Sequence, residues 1–309
     1  METTQITPHV HSLHVKLDWF PQPYPPNVFL IVDGSEGALI DAGFPDDDSY
    51  NNRLEMLSNF AGLNVRYIVI THHHFDHSSG AHKLRDATGA KVVMHSDEAP
   101  LLERAAKEDL PSDVEVPAER KEYAERVQEW RVEAAKAAPD QVVSDGDTLS
   151  IGSLTLRMVH SPGHTGGHLS PLLEGDNVLF AGDNVLGVGT TVVPPPPNGD
   201  MGQYVASLRK MQSLNAEIMC CGHGPAVQEP HRKLQELIDH RQQRENQILA
   251  LVTDGKDTVK RLVKAIYPEL DKRLLGMAQG QTRSHLAKLA SEGKVRMTGE
   301  GENASVELT

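Results

Sequence analysis

Cysteine is almost missing from this 309-residue chain, and the two that occur are adjacent, Cys220 and Cys221. Adjacent cysteines cannot form an ordinary structural staple, so a disulfide-built scaffold is excluded and a reducing compartment is expected. Long apolar runs are missing as well. None approaches the roughly 20 residues of a membrane span. Residues 1–17 are polar and histidine-bearing where a signal segment would be apolar. The expectation is a soluble, cytoplasmic protein without membrane association. No long internal repeat or low-complexity tract is legible. Net basic charge is absent too: the formal charge is −13. Residues 231–309 hold fourteen Lys and Arg against eleven Asp and Glu, which leaves −16 on residues 1–230. A region that acidic disfavours broad attraction to phosphate backbones. The length is enough to bury a large α/β core without disulfides.

What the chain does have is histidine in a pattern. Thr71-His72-His73-His74-Phe75-Asp76-His77 reads as H-x-H-x-D-H and follows the apolar, β-branched Arg66–Ile70, a strand candidate. A rigid strand that carries imidazole and carboxylate on its exit loop is a good metal platform. That ligand chemistry suits zinc, and also iron or manganese. Three further segments repeat the arrangement of a polar ligand type at a strand end beside glycine. Ser161-Pro162-Gly163-His164 follows Leu154–Val159, Phe180-Ala181-Gly182-Asp183 ends an apolar run, and Cys221-Gly222-His223-Gly224-Pro225 follows Glu217–Cys220. Singly these mean little; in this order they are specific.

Together with Asp41 in Leu39-Ile40-Asp41-Ala42-Gly43, these motifs resemble the metallo-β-lactamase-fold hydrolases of the glyoxalase II-like branch over roughly residues 8–230. The resemblance implies a four-layer αββα sandwich and a binuclear site. One metal would take His72, His74 and His164, the second Asp76, His77 and His223, and Asp183 would bridge them. Asp41 would orient the histidine loop by hydrogen bonds. Two divalent ions about 3.5–4 Å apart would acidify a bridging water, and the hydroxide would attack an electrophilic carbonyl or phosphorus. Asp76 would orient that hydroxide and accept its proton. His168, four residues after His164, either faces the substrate as a catalytic donor or is satisfied by backbone within its loop. His73 alternates with two ligands and is expected to point away from the metals in a structural role.

The coarse organisation is strands, then helices, then strands. Val28–Val32 and Ala38–Ile40 form an expected hairpin, Asp47–Phe60 a helix and Lys91–His95 a strand. Residues 96–138 form a charged helical insertion in which Tyr123, Val127 and Trp130 recur at i, i+4 and i+7. It either caps the site or rests on the core as a solvated helix pair. Two proline-stiffened segments, Trp19–Pro26 and Val188–Asp200, shape a pocket or serve as plain surface connections. The linear division expected is residues 1–230 for the catalytic domain and 231–309 for a C-terminal module. In that module Leu234–Val252, Thr258–Tyr267 and Arg273–Ser291 read as helices, and Lys294–Thr298 and Ser305–Leu308 as strands.

A helix–helix–wing order resembles a winged helix. After such a core it resembles the lactamase-β-like protein 2 group, whose members include endoribonucleases and whose relatives include acyl-carrier thioesterases. Two activities follow as expectations. The first is hydrolysis of a small-molecule acyl thioester, ester or lactone, with weak β-lactam hydrolysis as a side activity. The second is metal-dependent cleavage of single-stranded RNA, with Arg283, Lys288, Lys294 and Arg296 as candidate contacts. The module is alternatively a packing element or a homodimer interface. A non-enzymatic di-iron redox scaffold is disfavoured, because His77 stands where such proteins carry glutamate.

Overall fold

The computed structural model describes residues 3–13, 24–107 and 118–309. Most of the Trp19–Pro26 segment and the middle of the 96–138 insertion fall outside the described residues. The chain divides into two compact units. The first comprises Met1–His160, Gly167–Gly189 and Ala216–Gln228; the second comprises Ser161–Gly166, Thr190–Asn215 and Glu229–Thr309. These units do not follow a linear cut at residue 230, because two internal segments group with the C-terminal helices.

The first unit is built on two sheets. Strands β1 (Thr3–Gln5), β2 (Val10–Leu13), β3 (Val28–Asp33), β4 (Glu36–Ile40), β5 (Asn64–Val69), β6 (Lys91–His95) and β7 (Gln141–Val143) lie side by side in chain order. Pairing is antiparallel from β1 to β4 and parallel from β4 to β7. Strands β8 (Thr148–Ile151), β9 (Leu154–Arg157), β10 (Leu172–Leu173), β11 (Val178–Gly182) and β12 (Ile218–Cys221) form the second sheet, ordered β12-β11-β10-β9-β8.

Alternation along the strands decides what each face meets. In β3, Phe29 and Ile31 join Leu156, Met158 and Phe180 in a core between the sheets. Val28 and Leu30 turn the other way and pack with Met56, Leu84 and Ala134 from α1 (Asp47–Ser58), α3 (Ala81–Thr88) and α5 (Ala118–Ala135). The same division separates Val69 from Ile68 in β5, and Val93 from Val92 in β6. A sheet buried on both faces needs such near-continuous apolar strands. Each fully buried large apolar side chain contributes about 1.5–3 kcal/mol.

The insertion contributes α4 (Ala99–Lys107) and α5. The i, i+4, i+7 stripe expected on α5 does pack. Trp130 is buried, stacks on Phe75 at 5.6 Å and lies 4.7 Å from Phe44. Phe75 opens the short helix α2 (Phe75–Ser78) that carries Asp76 and His77, so α5 rests on the ligand-bearing turn itself.

The second unit contains α6 (Met201–Ser213), α7 (Pro230–Thr253), α8 (Val259–Ile266) and α9 (Leu275–Ser291), followed by the hairpin of β13 (Val295–Thr298) and β14 (Ser305–Leu308). Ile248, Leu262, Leu286, Leu289, Val295 and Val306 share its core. Thr258 caps α8 by accepting from Arg261 N at 3.3 Å, and Pro268 follows its end. Pro230 at the first turn starts α7 four residues before the apolar periodicity becomes legible. Among the described residues, no helix is long and apolar enough to cross a membrane.

Candidate metal centre

Every ligand candidate of the first unit sits where a strand of one of the sheets ends. β4 delivers Asp41, β5 leads to His72, His74, Asp76 and His77, β11 leads to Asp183, and β12 to His223. Asp41 holds the loop together. Its backbone is left-handed, with φ 61°, and its carboxylate is buried. Oδ1 accepts from Thr71 N at 2.8 Å; Oδ2 accepts from Thr71 Oγ1 at 3.0 Å and from His77 Nδ1 at 2.7 Å.

These bonds fix the histidine tautomers. Thr71 spends its one hydroxyl proton on Asp41, so it accepts from His72 Nδ1 at 2.9 Å, and Nε2 of His72 keeps its lone pair. His77 donates through Nδ1 to Asp41, and His223 through Nδ1 to Tyr24 O at 3.0 Å. Each therefore turns its Nε2 toward the carboxylates of Asp76 and Asp183. A metal-binding imidazole needs its other nitrogen anchored in this way.

Those nitrogens converge on carboxylates. Asp76, His77 and His223 offer ligand atoms within 4.8 Å of one another, and so do His72, His74 and Asp183. His72 Nε2 and His74 Nδ1 approach to 3.0 Å. Asp183 belongs to both sets, since its Oδ1 is 3.3 Å from His77 Nε2 and 3.5 Å from His223 Nε2. His77 Nε2 is buried and makes no hydrogen bond. A buried imidazole nitrogen that faces the carboxylates of Asp183 and Asp76 is what a cation would satisfy, and the donor set of nitrogen and oxygen fits zinc, iron or manganese.

The electrostatics agree. Burial opposes a charge on His77, yet Asp183, Asp76 and Asp41 hold its pKa well above the ordinary histidine value. Burial likewise opposes protonation of His223, and Asp183 and Asp76 overcome it to raise its pKa. Burial pushes the Asp76 carboxyl up, but the two imidazoles draw it below the usual carboxylate range. The cluster has an excess of negative charge that protons or metal ions must neutralise.

Two glycines make room for the carboxylate. A Cβ on Gly222 would lie 2.2 Å from Asp183 Oδ1. Gly182 has φ 47°, and a Cβ there would come within 2.6 Å of His168 Nε2. His168 itself is buried. Its Nε2 accepts from Asp183 N at 3.2 Å, so Nδ1 carries the ring proton and donates to the Asn184 side-chain amide 3.0 Å away, which must turn its oxygen toward the ring. His168 is thus placed to hold the Asp183–Asn184 turn. This favours the loop-satisfied alternative over the catalytic one.

His73 points elsewhere: its N and Nδ1 both donate to Glu98 Oε2, at 2.8 and 2.6 Å. The other Glu98 oxygen accepts from Gly167 N at 2.8 Å, so a buried carboxylate ties the histidine loop to the segment leading to His168. Asn27 does the same for the His223 turn, donating to Cys221 O and Gly224 O at 2.9 and 2.7 Å. Sequence reasoning missed both. Neither lies in a motif, and Glu98 reads as one more charge in a charged insertion. Cys220 and Cys221 are free, buried thiols, and burial raises the Cys220 pKa.

His164 lies in the second unit, where its Nδ1 donates to Val192 O at 2.8 Å. A further group, His95, Asp97 and His160, differs in kind. The two rings stack at 4.1 Å and 9°, so their in-plane lone pairs run side by side and do not converge.

This fold, with histidine and aspartate ligands on strand-end loops, is that of the metallo-β-lactamase-type hydrolases. Residues 21–223 match the metallo-beta-lactamase superfamily and residues 258–303 the beta-lactamase associated winged helix domain. The chain belongs to the metallo-beta-lactamase superfamily, with the αββα fold expected and a winged helix at its C-terminal end. It is 28% identical over 270 residues to the beta-lactamase-like protein 2 homolog of Caenorhabditis elegans, covering 87% of this chain and 80% of that protein. It is also 28% identical over 262 residues to the atrochrysone carboxyl ACP thioesterase of Aspergillus fumigatus, covering 79% of this chain and 69% of that one. Among solved structures, a beta-lactamase domain protein from Burkholderia ambifaria shares the fold, with TM-score 0.80, 20% identity and coverage of 100% of this chain and 94% of that chain.

Proposed function

We propose that the protein is a binuclear metallohydrolase that cleaves acyl thioesters, with ester and lactone cleavage as related activities. The observation that carries this reading is the shared position of Asp183, whose carboxylate faces the His77–His223 pair and also groups with His72 and His74. In this reading His72, His74 and His164 hold one ion, and Asp76, His77 and His223 hold the other. Asp183 belongs to both. Zinc is the ion the donor set suits best. When bound, two such ions supply an acidified water and Lewis-acid polarisation of the acyl carbonyl.

The protein side chains then have separate tasks. Asp76 orients the attacking water and takes its proton; the neighbouring imidazoles favour the ionised carboxylate that this role needs. Asp41 and Thr71 keep His72 and His77 in their ligating tautomers. His168 holds the backbone of the Asp183 turn, and Gly222 leaves room for the Asp183 carboxylate. The insertion helix α5 brings Tyr123 near Asp76, where burial and that carboxylate raise the phenol pKa, so the insertion borders the approach to the site.

A thioester substrate is favoured by the thioesterase relative and by the acidic balance of residues 1–230 over cleavage of a polyanion. The test is free-thiol release from a panel of acyl thioesters of graded chain length, with zinc-reconstituted protein beside Asp76→Asn. Release that depends on metal and collapses in the variant is expected. Undiminished release after metal removal would sink the proposal.

A further inference from the structure

The second unit has a cavity that the metal centre does not use. It encloses about 300 Å³ and is walled by α7, by the Leu274–Gln281 stretch opening α9, and by Thr190–Val192. Two guanidiniums, Arg241 and Arg244, line it one helical turn apart on α7, and no lining residue is a carboxylate.

The polar groups of this cavity are fixed by their surroundings and then left incomplete. Arg241 is fully buried; its Nη2 donates to Thr191 O at 2.8 Å, while its Nε is buried with no hydrogen-bond partner. Arg244 lies over the Tyr267 ring at 4.7 Å, and its Nη1 is also buried without a partner. Gln281 accepts from Val193 N through Oε1 at 3.0 Å, which sets its amide and leaves Nε2 buried and unpartnered. Three buried donors without an acceptor, two of them cationic, thus belong to residues that line one cavity. Buried donors in that state cost free energy unless an acceptor meets them. His240 and His285 add no compensating charge: burial and the nearby guanidiniums hold the pKa of each below the ordinary value, although Glu245 partly opposes this at His285. Glu245 is committed to Lys288 at 2.8 Å.

The cavity also has an apolar lining. Leu270, Leu274 and Met277 form it, and Leu274 and Met277 are 46% and 51% exposed. A ligand matching both linings is an anion with an apolar tail. The position also bears on catalysis. Val192, which lines the cavity, accepts the hydrogen bond from His164 Nδ1, so a single segment separates the cavity from a candidate metal ligand.

We propose that this cavity is the subsite for the anionic end, a phosphate or a carboxylate, of an amphipathic acyl substrate, with Arg241, Arg244 and Gln281 as the donor residues. The assignment to substrate rests on the hydrolase reading above; anion binding does not. Charge-assisted bonds of this kind are the strong ones, and bidentate guanidinium contacts suit both head groups.

The test is isothermal titration of the zinc-loaded full chain with octyl phosphate, octanoate and inorganic phosphate. Four proteins are compared: wild type, Arg244→Gln, Gln281→Glu and Asp76→Asn. Gln281→Glu keeps the acceptor for Val193 N and puts a carboxylate in place of the donor. The expected result is that a tailed anion binds wild type and Asp76→Asn alike, and binds Arg244→Gln and Gln281→Glu roughly tenfold or more weakly. Whichever tailed anion binds more tightly identifies the head group, and inorganic phosphate should bind more weakly than octyl phosphate. Equal affinity in wild type and both cavity variants would overturn the proposal, as would a loss confined to Asp76→Asn, which would mean capture at the metal centre. Arg244-dependent binding without thioester turnover would remove the hydrolase reading and leave the anion site standing.

Discussion

In the first unit, Asp41, Asp76 and Asp183 crowd around the imidazoles of His77 and His223; in the second, Arg241 and Arg244 share a cavity wall with no carboxylate. Both places are buried, and both break the ordinary rule that buried charge is paired in balance. They break it with opposite sign. The carboxylate-rich cluster raises histidine pKa values against burial, whereas beside the cavity burial, with the guanidiniums adding to it, lowers them. Imbalance of this kind is costly to stability and points to a missing partner of opposite charge: cations in one case, an anion in the other.

The contrast can be broken at several points. The largest effect is expected from Asp76→Asn, which should lower thioester turnover by about 10²–10⁴-fold, read as thiol release at saturating zinc. Asp41→Asn touches neither ion directly but removes a charged anchor of Thr71 and His77. It should weaken zinc affinity by about 10–100-fold in a competition titration against a chelator. Arg244→Gln leaves the histidine loops alone. It should raise KM roughly tenfold for an acyl substrate carrying an anionic end, with kcat much less affected, and leave a neutral acyl substrate unchanged.

The smallest effect falls on stability. Burial would raise the Glu245 carboxyl, but His285 and Lys288 hold it below the usual value. A carboxyl depressed on folding stabilises above its unfolded pKa and loses that contribution as pH falls through its folded one. Glu245→Gln should therefore cost about 1–2 kcal/mol at pH 7, and the gap to wild type should close in acid. Thermal unfolding of both proteins at neutral and acidic pH reads it.

Much of this was legible in the sequence, and unevenly so. The ligand loops announce themselves because each puts its ligands at the end of an apolar strand, three of them beside glycine, and strand ends are local. Lys91–His95 and Ala118 as the start of the long insertion helix also needed only local pattern. Trp130 was identifiable as part of a stripe, but not that it stacks on Phe75 behind Asp76, since that pairing joins residues far apart in the chain. His168 shows the same limit. Its spacing from His164 suggests a substrate-facing group, and only the Asp183–Asn184 turn reveals what it holds. The arginine cavity is the least legible feature. Arg241 and Arg244 are visible as a charged pair on one helix, but their contacts with Thr191, Tyr267 and Gln281 join residues far apart in the chain.

Zinc stoichiometry under equilibrium dialysis, wild type beside Asp183→Asn, tests the central claim most directly. Two tightly held ions per wild-type chain are expected, with affinity lost at both positions in the variant because one carboxylate serves both. A single ion in wild type, or a variant that still holds two with unchanged affinity, would contradict a binuclear centre organised around Asp183.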